Sequence, residues 1–357
     1  MIDARAKAAA WAEADRLVSH FAAAGAVPVE ADILQDAEVL LDLYGEDIRG
    51  RAFVTHDPVR GELMLRPDFT VPVVRMHMEE GADPARYTYA GEVFRRQEAQ
   101  TGRPSEYLQA GFELFGGDDP AAADAEVFSV ISSALEGRAL RRAVGDIGIL
   151  VAAVQGLATT EDRKGALMRH IWRPRRFRAL MERFAGRGPV PEGRVALLGL
   201  ADPFEGTGPE IGLRGRAEVE ARIAALRADA AAPPLEGREE IDALLDLALP
   251  LDRAVEALRG LGLSGIGPAV DRLARRAEAL QARGVDLSAL DFEGSYGRTA
   301  LEYYDGFVFG LYAGGRPDLP PVATGGRYDA LTRALGRGRE VPAVGGVIRP
   351  DLVGELR

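Results

Sequence analysis

The stretch EYLQAGFELFG at residues 106–116 has the clearest period in the chain. Alternate side chains of a β-strand point to opposite faces, so Tyr107, Gln109 and Glu113 would share one face. Gln109 and Glu113 would then lie about 13 Å apart at most, which suits a ligand the size of an amino acid. A strand face that meets only solvent is the common alternative for such polar residues.

The sequence on both sides of this stretch also has strand character. Short β-rich runs bounded by turn residues occur at 51–55, 63–65 and 87–94. Helices are predicted at 70–80 and 120–136. Residues 146–154 fit either a buried strand or the start of a helix, because periodicity alone does not separate the two.

Strands are predicted towards both ends of the chain, whereas the middle is predicted to be helical. Trp11, Ala14, Val18 and Phe21 recur at helical spacing, and Gly25 ends that helix. Residues 26–45 predict a short strand and a second helix. Almost everything from 159 to 284 reads as helix. The last seventy residues predict strands at 303–312 and 341–348, with a glycine turn at 325–329. This order predicts one mixed α/β domain interrupted by a helical insertion.

Composition excludes several classes of function. The chain has 357 residues, a net charge of −11, no cysteine and four widely spaced histidines. An acidic chain is repelled by phosphate backbones, which argues against nucleic acid as the main ligand. The absence of cysteine and of clustered histidines predicts no metal site. No apolar run approaches the roughly 18 residues that span a bilayer, so we expect a cytoplasmic protein without membrane contact.

Two further segments carry polar groups close to predicted strands. In LRPDFT at 65–70, Pro67 prevents a helix through Arg66, and Asp68 or Thr70 would serve equally well as a helix cap or as a ligand contact. In the 301–309 segment, Tyr303 and Tyr304 fit either the core and rim of a strand or a ligand wall. Neither segment decides the question by itself.

Five motifs in order resemble the core of histidyl-tRNA synthetases, which are class II aminoacyl-tRNA synthetases. They are LRPDFT at 65–70, FRRQ at 94–97, QAGFELFG at 109–116, LEYY at 301–304 and GGRYD at 325–329. The resemblance implies an α+β fold with a mostly antiparallel sheet flanked by helices. It places that core at residues 1–157 and 285–357 and makes 158–284 a mainly helical insertion. With only residues 353–357 after motif 3, we expect no anticodon-binding domain.

The resemblance also implies a pocket for histidine. The residues carried over to that pocket are Asp68, Thr70, Arg95, Gln109, Glu113, Tyr303 and Tyr304. Carboxylates at Asp68 and Glu113 would hold the ammonium group and the imidazole N–H, because charge-assisted hydrogen bonds are stronger than neutral ones.

The sequence departs from the synthetase pattern where adenylate chemistry takes place. Thr299 stands where the family has an arginine that assists adenylate formation. Arg298, one position earlier, would point to the opposite face of a strand. Leu352 stands at the position of the motif 3 arginine that binds ATP, and Arg349 replaces a glycine. Smaller departures are Gln97 for the motif 2 glutamate and Asp32 for a proline at the dimer interface.

A retained histidine pocket with lost adenylate residues resembles the regulatory subunits of ATP phosphoribosyltransferase. That resemblance implies a chain without catalytic residues or cofactors, which activates a short-form catalytic subunit and mediates feedback inhibition by L-histidine at the first step of histidine biosynthesis. It also implies a homodimer within a hetero-oligomer, such as a hetero-octamer, and no binding of tRNA. Two alternatives stay open: a truncated ligase that activates histidine with ATP, and a histidine-sensing module for another partner.

Overall fold

A nine-stranded sheet forms the centre of the protein. The computed structural model describes residues 4–37, 50–97, 104–208, 211–298 and 303–356. Strand order across the sheet is β1-β5-β6-β12-β11-β10-β7-β9-β8, and a separate three-stranded sheet has the order β2-β4-β3. In the large sheet only the pairs β1–β5 and β7–β9 are parallel. The predicted mostly antiparallel α+β fold is therefore confirmed.

The strands within the described ranges are β1 (Val27–Pro28), β2 (Leu34–Asp36), β3 (Val54–Asp57), β4 (Gly61–Leu65), β5 (Ala85–Phe94), β6 (Glu106–Phe115), β7 (Leu140–Asp146), β8 (Ala248–Pro250), β9 (Leu290–Glu293), β10 (Phe307–Ala313), β11 (Ala323–Arg327) and β12 (Ala343–Ile348).

The helices in the same ranges are α1 (Ala4–Ala23), α2 (Thr70–Glu80), α3 (Pro120–Ser133), α4 (Ile147–Gln155), α5 (Glu161–Met168), α6 (Pro174–Phe184), α7 (Glu192–Gly199), α8 (Arg216–Ala231), α9 (Arg238–Asp246), α10 (Leu251–Gly260), α11 (Gly267–Ala282), α12 (Asp329–Leu335) and α13 (Pro350–Val353). None of these helices is both long and apolar enough to cross a membrane.

Most of the predicted elements near the motifs are present, with informative exceptions. Asp146 ends β7, and residues 147–154 form a helix, which Asp146 caps by accepting a hydrogen bond from the Gly148 amide at 2.8 Å. The predicted strand at 303–312 begins only at Phe307, so Tyr303 and Tyr304 precede it. Most of the second helix predicted at 26–45 falls outside the described residues.

The glycine turn predicted at 325–329 is wrong. Gly325 and Gly326 lie inside β11 and pair with Gly346 and Gly345 of β12. A Cβ atom at Gly325 would collide with the Phe309 ring, and one at Gly346 would meet the same ring at 2.8 Å. These glycines therefore allow a buried aromatic side chain to lie directly on the sheet.

The segment between residues 158 and 284 is mainly helical and packs against the large sheet. Helix α11 lies along α3, and its Leu273 and Leu280 belong to the same hydrophobic core as Phe128 of α3. Strand β8 extends the sheet by pairing with β9. The division of the chain into a core and an insertion at residues 158–284 stays a prediction about domain organisation.

A buried charge network fastens this segment to the sheet. Asp124 of α3 accepts hydrogen bonds from Arg276 of α11 at 2.7 Å and from Arg327 of β11 at 2.6 Å. Arg276 also donates to Asp146 at 2.8 Å, and Arg327 pairs with Asp329 at 3.0 Å. Burial opposes the charge of Arg276, but Asp124 and Asp146 outweigh it and raise the pKa of the guanidinium.

Candidate functional site

One cavity brings together every residue predicted to bind histidine. It has a volume of about 770 Å³ and lies over the face of β6 that carries Gln109 and Glu113. All seven predicted residues line its wall: Asp68, Thr70, Arg95, Gln109, Glu113, Tyr303 and Tyr304. This volume is within the range of small-molecule sites. Their common position is a structural result, while their role in binding stays a prediction.

Glu113 is the centre of the polar wall. Its Oε1 accepts hydrogen bonds from Tyr89 at 2.7 Å and from Thr70 at 3.1 Å, and its Oε2 accepts one from Tyr328 at 2.5 Å. The carboxylate is almost completely buried, with 1% of the residue exposed. It has three hydroxyl donors and no described cation, so a positively charged ligand group is the partner that would complete it.

Burial controls the ionisation of Glu113. It raises the pKa of the carboxyl from its ordinary 4.5 to about 7, although the three hydroxyl donors act in the opposite direction. The same burial raises the pKa of the Tyr89 and Tyr328 hydroxyls, which therefore stay protonated and act as donors. The Glu113 carboxyl therefore changes its protonation state near neutral pH.

A glycine in the neighbouring strand leaves room for the Glu113 carboxylate. Gly345 of β12 lies opposite Glu113 in the sheet register. A Cβ atom at Gly345 would overlap Oε2 of Glu113, so an alanine there would have to displace the carboxylate. Gly345 thus has a direct steric role in the site.

Asp68 and Arg95 form the second polar group of the wall. Arg95 donates to Asp68 at 3.3 Å and to the carbonyl of Pro67 at 2.7 Å. Oδ1 of Asp68 accepts from the backbone amide of Thr70 at 3.1 Å, just before α2. The N-cap of α2 is Phe69, which makes no side-chain cap hydrogen bond, so neither Asp68 nor Thr70 is the N-cap of this helix. Both residues line the cavity.

Gln109 presents an unsatisfied group to the same cavity. Gln109 is 4% exposed, and its Oε1 has no hydrogen-bond partner among the described residues. Tyr303 and Tyr304 complete this side, with ring centroids 4.8 Å apart in an edge-on arrangement. The alternative of a solvent-facing strand does not hold for β6, where every residue after Glu106 is buried.

The positions that depart from the synthetase pattern lie in different parts of the structure. Leu352 is buried in the hydrophobic core and does not line the cavity. Thr299 lies outside the described residues. Arg298 lies in a turn after β9 rather than in a strand, and it lines the cavity, as do Gln97 and Arg349. Arg349 stacks on the Tyr107 ring at 4.1 Å.

Sequence reasoning missed Tyr89, Tyr328 and Gly345 as parts of the site. Tyr89 comes from β5 and Tyr328 follows β11, so the contacts with Glu113 depend on strand pairing across the sheet. Tyr328 stands inside the GGRYD motif and Tyr89 inside the predicted strand at 87–94, and these positions were the available signal. Among the described residues, no three histidine, aspartate or glutamate side chains converge as metal ligands would.

Comparisons with known proteins agree with this architecture. The histidyl-tRNA synthetase family model matches residues 2–207 and 214–353. One solved structure is a histidyl-tRNA synthetase from Nostoc sp. PCC 7120, with a TM-score of 0.65 at 18% identity; the alignment covers 98% of this chain and 72% of that chain. Another is an ATP phosphoribosyltransferase regulatory subunit/histidyl-tRNA synthetase from Bacillus halodurans, with a TM-score of 0.69 at 24% identity; the alignment covers 99% of this chain and 81% of that chain. These two structural likenesses concern the fold.

Similarity in sequence is more specific. The ATP phosphoribosyltransferase regulatory subunit of Mesorhizobium japonicum is 34% identical over 96% of this chain and 97% of its own length. The regulatory subunit of Rhizobium rhizogenes is 32% identical over 96% of both chains. Both alignments extend along almost the whole chain, so the chain belongs to the histidyl-tRNA synthetase family and, within it, to the ATP phosphoribosyltransferase regulatory subunits.

Proposed function

We propose that this chain activates a separate short-form ATP phosphoribosyltransferase catalytic subunit and brings it under feedback inhibition by histidine. The complex would act in the cytoplasm at the first step of histidine biosynthesis. The observation that carries the proposal is the similarity to regulatory subunits along almost the full length. The chain itself would contribute no catalytic residue.

Histidine is the ligand that we propose for the cavity over β6. Glu113 would accept a hydrogen bond from a cationic or N–H group of the ligand, and Asp68 would accept from a second one. Tyr303 and Tyr304 would provide the aromatic wall beside the imidazole ring. The support for this assignment is the arrangement of three hydroxyl donors around a buried carboxylate that has no described cation.

Inhibition requires that histidine bind two states of the complex unequally. A ligand shifts a conformational equilibrium only by the difference between its affinities for the two states. Couplings of about 1–3 kcal/mol are typical for such regulation. The cavity is suited to this role because residues of α2, β6, β10, β11 and β12 form its wall. A bound ligand would therefore contact several elements at once.

The ligase alternative requires an arginine that reaches ATP phosphates. Leu352 at the motif 3 position is packed in the core, which supports the non-catalytic assignment. Clamps of this kind provide much of the transition-state stabilisation in phosphate chemistry. We therefore propose that the chain neither activates histidine with ATP nor charges tRNA.

A homodimer within the hetero-oligomer is the assembly that we propose. Leu34, Leu65 and Phe53 lie side by side across the three-stranded sheet, because Leu34 pairs with Leu65 and the Leu65 amide donates to Phe53. Leu34 and Phe53 are 38% and 36% exposed. A second copy of the chain would cover this apolar face.

Reconstitution tests the proposal directly. The purified chain is mixed with a short-form catalytic subunit, and formation of phosphoribosyl-ATP is followed with and without histidine. We expect activity that rises on mixing and falls when histidine is added. The Glu113→Gln variant should keep the activation and lose much of the inhibition, because it removes the charge at the centre of the cavity.

The matched control is Glu106→Gln, at the exposed start of the same strand. It should behave as the unmodified chain does. The proposal would be overturned if mixing produced no activation while the chain alone exchanged pyrophosphate into ATP in a histidine-dependent manner.

A further inference from the structure

Arg298 lies in an environment that does not balance its charge. The residue is 4% exposed, and its Nη2 has no hydrogen-bond partner among the residues that the structure describes. Its Nε donates to the carbonyl of Ile171 at 2.8 Å, and its guanidinium lies 4.7 Å from the Phe177 ring. These contacts hold the side chain in place but supply no negative charge.

The groups around Arg298 increase the imbalance. Burial and the positive charge of Arg178 lower the pKa of Arg298 to about 10. Four carboxylates line the cavity with it. Asp68 pairs with Arg95, Glu113 accepts three hydroxyl hydrogen bonds, Glu293 pairs with Arg141 at 2.7 Å, and Asp246 is exposed. None of these carboxylates offsets the lowering of the Arg298 pKa, to which Arg178 contributes.

Arg178 belongs to the same wall. It comes from α6 and lines the cavity together with Arg298. Within the described ranges it forms no hydrogen bond or ion pair with another residue. Two neighbouring arginines without carboxylate partners, one of them buried, therefore meet in a single cavity where the helical segment joins the sheet.

The geometry points to an oxyanion-binding subsite at Arg298, with Arg178 as its second arm, in the wall of the cavity over β6. A guanidinium fork binds a carboxylate or a phosphate through two parallel hydrogen bonds, and it is the strongest such donor in proteins. A buried, unpaired guanidinium is unfavourable by itself, so a bound oxyanion would remove a penalty that the empty site carries.

Two sources can supply this oxyanion. One is the α-carboxylate of the amino acid that we propose at Glu113. The groups around Glu113 are carboxylates and hydroxyls, so none of them supplies the positive charge that an α-carboxylate requires. This source rests on the proposed function. The other is a phosphate group of a separate ligand, and the cavity is large enough to hold more than an amino acid.

Calorimetry distinguishes the two sources. Histidine is compared with histidinol, which lacks the carboxylate, and inorganic phosphate is titrated separately. If the carboxylate is the ligand, the unmodified chain should bind histidine about ten- to a hundredfold more tightly than histidinol, and Arg298→Gln should remove most of that difference. If phosphate is the ligand, Arg298→Gln should weaken phosphate binding by a similar factor.

Arg183→Gln is the matched control. Arg183 lies on α6 with Arg178 and stacks on a phenylalanine ring as Arg298 does. Its Nε has no hydrogen-bond partner among the described residues, but the residue does not line the cavity. It should leave both affinities unchanged. Arg298→Lys keeps the charge without the fork, so its affinity should lie between those of the unmodified chain and Arg298→Gln.

Thermal unfolding separates binding from structure. Removal of an unbalanced buried charge should leave the melting temperature of Arg298→Gln unchanged or raise it. The subsite would be disproved if Arg298→Gln altered neither the preference for histidine over histidinol nor the phosphate affinity. If the unmodified chain bound phosphate through Arg298 but bound no histidine, the histidine pocket would be wrong and the oxyanion subsite would stand.

Discussion

Glu113 should make the stability of the protein depend on pH. Its pKa is about 7 in the folded state against an ordinary 4.5, so between these values the folded state holds a proton that the unfolded state has lost. The free energy of unfolding should therefore fall as pH rises through that window, by about 3 kcal/mol at most. Urea denaturation at several pH values measures it.

The Glu113→Gln variant is the control for that experiment. It cannot ionise, so the decline between pH 5 and 7 should flatten. Histidine should reverse the sign of the effect, because a cationic ligand stabilises the ionised carboxylate and would then protect the protein more at pH 8 than at pH 5. Equal protection at both pH values would contradict the placement of a cationic group at Glu113.

Gln109 offers a test in which binding and stability separate. Its Oε1 is buried without a partner, so Gln109→Met should change the free energy of unfolding by no more than about 1 kcal/mol. Histidine affinity should fall about tenfold if that oxygen accepts a hydrogen bond from the ligand. Calorimetry and urea denaturation on the same sample distinguish this result from general loss of structure.

At the scale of single residues, local sequence patterns predicted which side chains share a strand face, but not which side chains meet across the sheet. Gln109 and Glu113 share a face because the period of two is fixed by strand geometry. The hydroxyls that bond Glu113 were not predictable from local sequence, because Tyr89 and Tyr328 reach it only through strand pairing. Arg298 was misjudged because it lies in a turn, where the alternation of strand faces does not apply.

Elements are held together by the charge network around Asp124. Asp124→Asn should destabilise the protein by about 3–5 kcal/mol, because Arg276 and Arg327 would lose a shared buried partner. Chemical denaturation measures the loss. Asp318→Asn is a suitable control, since its ion pair with Arg316 is exposed and should contribute little to the free energy of unfolding.

The same elements explain which parts of the fold were predictable. Helices such as α2 follow from local spacing and breakers, and they appear where the sequence places them. The paired glycines of β11 read as a turn because Gly-Gly is ambiguous without its partner strand. The charge network was equally invisible, since it joins residues from α3, α11 and β11 that are far apart in the chain.

Association of whole molecules can be tested on the three-stranded sheet. Leu34→Asp combined with Phe53→Asp should convert a dimer into a monomer, because two charges would be placed in the proposed contact. Analytical ultracentrifugation measures the mass. Val195→Asp, on the exposed surface of α7, is the control and should leave the mass unchanged. A dimer that survived the double substitution would exclude this face as the contact.

The order of strands in the large sheet has a consequence for synthesis on the ribosome. Strands β12, β11 and β10 lie between β6 and β7, although they are the last three to be translated. Until they emerge, the nascent chain exposes the unpaired edges of β6 and β7, and Glu113 lacks both Tyr328 and the cover of β12. We therefore expect histidine to protect only the finished chain from proteolysis, with no protection of a nascent chain stalled before residue 323.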